Sequence, residues 1–191
     1  MACDTIFYQH TGSTYGYPAM NAVGRMYGEA LLMSTKHKIC NARFYLNPSG
    51  DITLEARVYA CSGTPGTDGI PTGSVLAISS SQSLTSSSLT TWYDFTFTTP
   101  YTLNASTNYV IGIYCTSYTA DCIVYRYDAG TVANANYCTL SGYSSSVRDI
   151  LGLFYYDPTE TFGWTGTING ITNPASIIGI DVENIGKVNG I

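Results

Sequence analysis

Charge is what this chain has least of. Asp, Glu, Lys and Arg make up 11% of its 191 residues, against about 25% in an ordinary soluble protein. The net charge is −5 and Lys and Arg nowhere cluster, so the electrostatic footprint of a nucleic-acid binder is absent and no such partner is expected. No apolar run approaches the roughly 18 residues that mark a membrane helix, and membrane insertion is not expected. The opening MACDTIFYQH has neither a basic n-region nor an apolar h-region. With Met1 as the native start, the expectation is synthesis in a cytoplasm without a standard secretion signal.

Signatures of catalysis are missing as well. G-x-S-x-G, H-E-x-x-H, G-x-G-x-x-G and the P-loop do not occur. The two histidines, His10 and His37, have no nucleophile motif beside them. A paired-carboxylate glycosidase needs two acids at a set separation across a cleft. Asp121, Asp128, Asp149, Asp157 and Glu160 fall in loops or at strand ends and read as solvated acids. Calcium suits such loops chemically, but no EF-hand or dense acidic loop supports it. No CxxC pair occurs, so a structural zinc site is not expected. The chain reads as a non-enzyme without a cofactor.

Hydrophobic residues nevertheless make up 45% of the chain and 17 tyrosines are present, which argues against disorder. Thr, Ser, Asn and Tyr must then do the solubilising. Six cysteines, Cys3, Cys40, Cys61, Cys115, Cys122 and Cys138, leave the pairing open. Cys115 and Cys122 bracket a short loop and are the local disulfide candidate. The alternative is buried thiols, because free Cys packs as a small hydrophobe.

The dominant pattern is alternation. Between Trp92 and Cys115, Tyr93, Phe95 and Phe97 face one way and Asp94, Thr96 and Thr98 the other. After Pro100 and a turn near Asn104, Tyr109, Ile111, Ile113 and Cys115 share a face opposite Gly112 and Tyr114. Ile39–Leu46 repeats the period, with Phe44 inward and Tyr45 outward. In Ile52–Ala60, Ile52, Leu54, Ala56 and Val58 stand against Thr53, Glu55, Arg57 and Tyr59. These are half-buried strands. Further strands are expected near Thr5–Tyr8, Ala30–Met33, Val75–Ile78, Ile123–Tyr127 and Asp149–Tyr156. Residues 62–73 and 129–142 read as loops, and 79–91 as a polar connector. The expected core is Phe44, Leu54, Val58, Phe95, Phe97, Tyr109, Ile111 and Ile113.

Many short strands with turn signals between them, and no convincing helix, predict an all-β antiparallel sandwich or jelly roll. The series ICNARFYLNPSGDITLEARVYA, GTPGTDGIPTGSVLAIS, WYDFTFTTPYTLNASTNYVIGIY and DILGLFYY resembles a jelly-roll module of secreted microbial proteins and of viral and phage structural proteins. The resemblance covers roughly residues 30–156 and implies a carbohydrate-binding-like or galactose-binding-like sandwich without implying an activity. The expected organisation is a lead-in over 1–29, the sandwich over 30–157 and an extended tail over 158–191.

That tail carries three near-copies of one tetrapeptide: Ile168–Ile171 (INGI), Ile177–Ile180 (IIGI) and Val188–Ile191 (VNGI). Such segments resemble the C-termini of phage and other viral structural proteins. Ile168, Ile171, Ile177, Ile180, Val188 and Ile191 are accordingly the candidate assembly residues. Aromatic candidates for a glycan or protein interface are the outward Tyr45, Tyr59, Trp92 and Tyr114 and the loop residues Tyr118, Tyr143 and Trp164, because flat rings stack on sugars and anchor interfaces. Low charge favours a permanently assembled subunit. The first expectation is therefore a structural subunit of a virus particle or fibre, in the virion, partnered by itself and by neighbouring subunits. The second is a glycan-binding or adhesin module at a cell surface or in the extracellular space.

Overall fold

The computed structural model describes residues 3–11, 18–127, 132–146 and 148–158, and in the C-terminal segment 167–168, 171–172, 176–177 and 180–181. The chain divides into two units, Cys3–Asp157 and a second made of the first two residues with Pro158–Ile191.

In chain order the first unit has β1 (Thr5–His10), β2 (Ala19–Met20), β3 (Met26–Leu32), β4 (His37–Pro48) and β5 (Ile52–Ser62). Next come β6 (Ile70–Ile78), β7 (Gln82–Leu84), β8 (Thr91–Leu103), β9 (Asn108–Tyr118) and β10 (Cys122–Val124). It ends with β11 (Arg126–Tyr127), β12 (Ala135–Thr139), β13 (Ser144–Ser145), β14 (Asp149–Ile150) and β15 (Gly152–Tyr156). All pairings are antiparallel, and no helix occurs among the described residues.

The long strands make two sheets. One orders them β1-β15-β4-β8, the other β3-β9-β5-β6. Counted along the chain, the first sheet holds the first, eighth, third and sixth long strands, and the second holds the second, seventh, fourth and fifth. That interleaving is the two-Greek-key connectivity of a jelly roll. β12 and β13 extend the second sheet beside β3, and β10 and β2 extend the first beside β4.

The alternation explains the sandwich. Phe44, Leu54, Val58, Phe95, Phe97, Tyr109, Ile111 and Ile113 all lie in one buried cluster between the sheets. Phe44 sits edge-to-face with Phe95 and Phe154, at 5.9 and 5.8 Å between ring centroids. The outward neighbours Asp94, Thr96 and Thr98 are exposed. Pro100 does not interrupt β8, because it falls where the pairing with β4 shifts register between Ile39 and Asn41, and a bulge tolerates a missing N–H.

Several stretches differ from the sequence reading, among them the connector expected over 79–91, which holds β7. The loop expected over 129–142 contains β12, buried at Ala135–Cys138. Its inner face joins the core through Ala135 and Tyr137, while Asn136 on its outer face hydrogen-bonds Gly66 and Gly69 of an overlying loop. With both faces covered, the period of two disappears from the sequence. The segment 62–73 is a loop only as far as Gly69, since Ile70 begins β6. The lead-in carries the strand expected near Thr5–Tyr8 as β1, and beyond it β2 and the start of β3, which pairs along its whole length with β9.

In the second unit, Thr167–Ile168 pairs with Ile171–Thr172, and Ser176–Ile177 pairs with Ile180–Asp181. The outer residues of two tetrapeptides thus face each other, Ile168 with Ile171 and Ile177 with Ile180. The sequence between the first pair is Asn-Gly, the strongest short-range hairpin signal. The third copy, Val188–Ile191, lies outside the described residues.

Candidate functional site

On the outer face of the first sheet, odd positions of β4 meet even positions of β8. Tyr45 is directly opposite Trp92, and Arg43 is opposite Asp94. The Tyr45 and Trp92 rings lie 5.4 Å apart at 60°. Tyr125, just after β10, adds a third ring 5.0 Å from Tyr45, held there by its own N–H bonded to the Tyr45 carbonyl. All three residues are half-buried.

A polar row runs beside these rings. Arg43 Nε is 2.9 Å from Asp94 Oδ1, and Asn41 Nδ2 donates to the same oxygen at 2.7 Å. Arg43 also donates to the Tyr155 hydroxyl at 3.4 Å. The ion pair is open to solvent and contributes little stability. Its effect is to hold donors and acceptors in fixed positions next to an aromatic surface. Trp92 and Tyr45 are thus brought together. Tyr125 was missed as a site residue, although its outward place in the Ile123–Tyr127 alternation was a signal for it.

The other aromatic candidates are elsewhere. Tyr59 and Tyr114 lie on the second sheet, where the Arg57 guanidinium sits 3.2 Å from the Tyr114 ring centroid and donates to the Tyr59 hydroxyl at 3.3 Å. Arg57 Nε also reaches Glu55 at 2.6 Å. Tyr59 is only 5% exposed. It belongs to a second apolar cluster, so it is not an available surface ring. Tyr118 is 39% exposed at the end of β9 and Tyr143 is exposed near β13. Trp164 lies outside the described residues.

The disulfide expectation is corrected. Cys3 bonds Cys40, with Cα atoms 5.9 Å apart, while Cys115 and Cys122 are buried free thiols. The loop between them crosses from β9 in one sheet to β10 in the other, and both side chains join the core. Burial pushes the Cys122 thiol up to about 12, which keeps it protonated and unreactive.

The acids need correction too. Asp121 is exposed as expected, but Asp149 and Asp157 are buried. Asp128 and Glu160 lie outside the described residues. Asp149 stands beside Glu29, a residue the sequence reading did not single out, and Glu29 is wholly buried. The sequence carries no local signal for it, because both faces of β3 are covered and MYGEALL shows no alternation. Among the described residues, no three His, Cys, Asp or Glu side chains are placed to hold a metal ion.

No protein-family model matches the chain, and a search of curated proteins finds no match.

Proposed function

We propose that the protein is a non-enzymatic structural subunit of a virus particle or fibre: a capsid-decoration, head-fibre or tail-associated protein. It assembles with itself and with neighbouring subunits through its sandwich and its C-terminal segment. Jelly rolls serve in viral capsids and in lectins, and a fold alone does not decide between such uses. The observation that carries this reading is the repeated apolar tetrapeptide, whose first two copies pair across a two-residue connection. Two-residue strands are far below independent stability, and 34 residues without a cysteine fall under the roughly 40 at which chains need a disulfide, a metal or a partner. Repeated Ile and Val on such hairpins suit burial against another subunit.

Deleting residues 165–191 tests this. The truncated protein is expected to keep its thermal melt and to lose assembly in light scattering. Continued assembly, or collapse of the sandwich, would count against the segment as an assembly element.

The strip of Trp92, Tyr45 and Tyr125 favours a second reading, glycan attachment, which a virion appendage could combine with the first. Ring stacking on sugar faces, with Arg43, Asp94 and Asn41 meeting hydroxyls, would recognise a neutral oligosaccharide. Titration against the best binder from a glycan array is expected to show at least about tenfold weaker binding for Trp92→Ala, the loss of one stacking contact of about 1.4 kcal/mol or more. Unchanged affinity removes Trp92 from the site. No binding by the parent leaves the structural reading alone.

A further inference from the structure

Between the two sheets lies a group of polar side chains that neither assembly nor glycan binding uses. Glu29 projects from β3 into the core, on the same face as Tyr27 and Leu31. One oxygen, Oε2, accepts the Ile150 N–H of β14 at 2.8 Å. The other, Oε1, is buried with no N–H or O–H in hydrogen-bonding geometry. Asp149 is the residue before Ile150 and is 1% exposed. Its Oδ2 accepts the Val132 N–H at 2.9 Å and lies 3.6 Å from His10 Nδ1 on β1. Tyr8, also on β1, brings its hydroxyl to the Ile150 carbonyl at 3.5 Å.

A carboxyl group in a dry interior with a second acid nearby is costly to ionise. Burial first, then the neighbouring Asp149, hold Glu29 well above the usual carboxylate range; the Ile150 N–H and the Tyr8 hydroxyl oppose this without offsetting it. The remaining ionisable neighbours are Cys138 on β12, Tyr137 and Arg126, whose guanidinium is 5.4 Å from the Tyr137 ring, and Tyr127, whose ring is 5.0 Å from His10.

We propose that Glu29, wholly buried with one carboxyl oxygen unpartnered, holds a proton in the folded chain and forms a pH-operated clasp. With Glu29 protonated, its bond to the Ile150 N–H fastens β3 to β14, and loss of the proton leaves a buried charge that loosens that corner of the sandwich. The Cys3–Cys40 disulfide pins the opposite end of β1, so release is local: a hinged strand rather than a detached one. The clasp is closed in mildly acidic surroundings and opens as pH rises.

The direction follows from linkage. A carboxyl whose folded value is raised stabilises the fold below its unfolded value, near 4.5, and that stability is lost as pH rises through the folded value. His10 and His37 behave oppositely. Burial lowers both, so they destabilise the fold as pH falls below about 6.5. The parent should therefore show a maximum with two limbs.

The test is denaturant unfolding of the full chain from pH 5 to pH 8.5, below tyrosine ionisation. In the parent, the folding equilibrium constant is expected to fall by up to about tenfold per pH unit on the alkaline limb, the slope of one proton. Glu29→Gln mimics the protonated acid and should abolish that limb while keeping the acid limb set by the histidines. Asp149→Asn should flatten the same limb by removing the repulsion. Amide exchange in the parent provides a readout that needs no variant. After correction for intrinsic rates, protection of Ile150 and Val132 should fall as pH rises. Identical alkaline limbs in the parent and Glu29→Gln, or constant protection at these two amides, would overturn the clasp.

Discussion

Truncating Phe44 to alanine is expected to cost about 3–5 kcal/mol, as large buried rings do when they leave a cavity behind. Phe44 is fully buried at the centre of β4, and it bridges two strands by ring contacts, to Phe95 on β8 and Phe154 on β15. Those rings are fixed on either side by backbone pairing with β4 itself, so they cannot move inward to fill the space. Thr96→Ala, one position from Phe95 on the opposite face and exposed, should change stability by under about 0.5 kcal/mol. Chemical denaturation of the two variants measures both. Equal losses would mean that the inward and outward faces of the first sheet are not distinct.

That contrast marks where sequence reasoning works on this chain and where it stops. Strands with one wet and one dry face write their alternation into the residues, which is why β4, β5, β8 and β9 and their inward rings were legible. β12 was not, because a loop covers its outer face and the sequence ANYCT carries no period. The acid pair was hidden for a related reason. A carboxyl reads as solvated unless its partner is known, and the contact between Glu29 and Asp149 spans 120 residues. The Cys3–Cys40 bond depends on both β1 and β4 flanking β15, a topological fact with no local trace, whereas the nearer pair Cys115 and Cys122 is separated into two sheets. Trp92 and Tyr45 could each be placed outward from sequence. That they face each other is a matter of register, which only the β4–β8 pairing sets.

The second large effect is expected at Asn136, the polar centre of the outer face of β12. Asn136 is fully buried and faces the loop between β5 and β6. Its Nδ2 donates to the Gly69 carbonyl at 3.0 Å and to the Tyr137 carbonyl at 3.2 Å, and its Oδ1 accepts the Gly66 N–H at 3.0 Å. The loop can present these groups because Gly66 adopts φ +87° and because Gly69 packs so closely that an added Cβ would come within 2.7 Å of the Ala30 Cβ. Beneath it lie Met26, Ala30, Tyr59, Val110 and Cys138, all buried. Asn136→Ala leaves the Gly66 N–H and the Gly69 carbonyl without partners, and each buried unpaired group costs about 1–3 kcal/mol. The variant is expected to lose about 2–4 kcal/mol in denaturant, reduced to the extent that the loop lifts and lets water in. Lifting has its own signature. Cys61 is partly exposed and Cys138 is buried, with the Cys138 thiol held well above its ordinary range by burial. A thiol reagent should therefore label the native parent quickly at Cys61 alone, and the Asn136→Ala variant at Cys138 as well. If Cys138 stays protected and stability falls by less than about 1 kcal/mol, the loop is held by its apolar contacts and Asn136 is not its anchor.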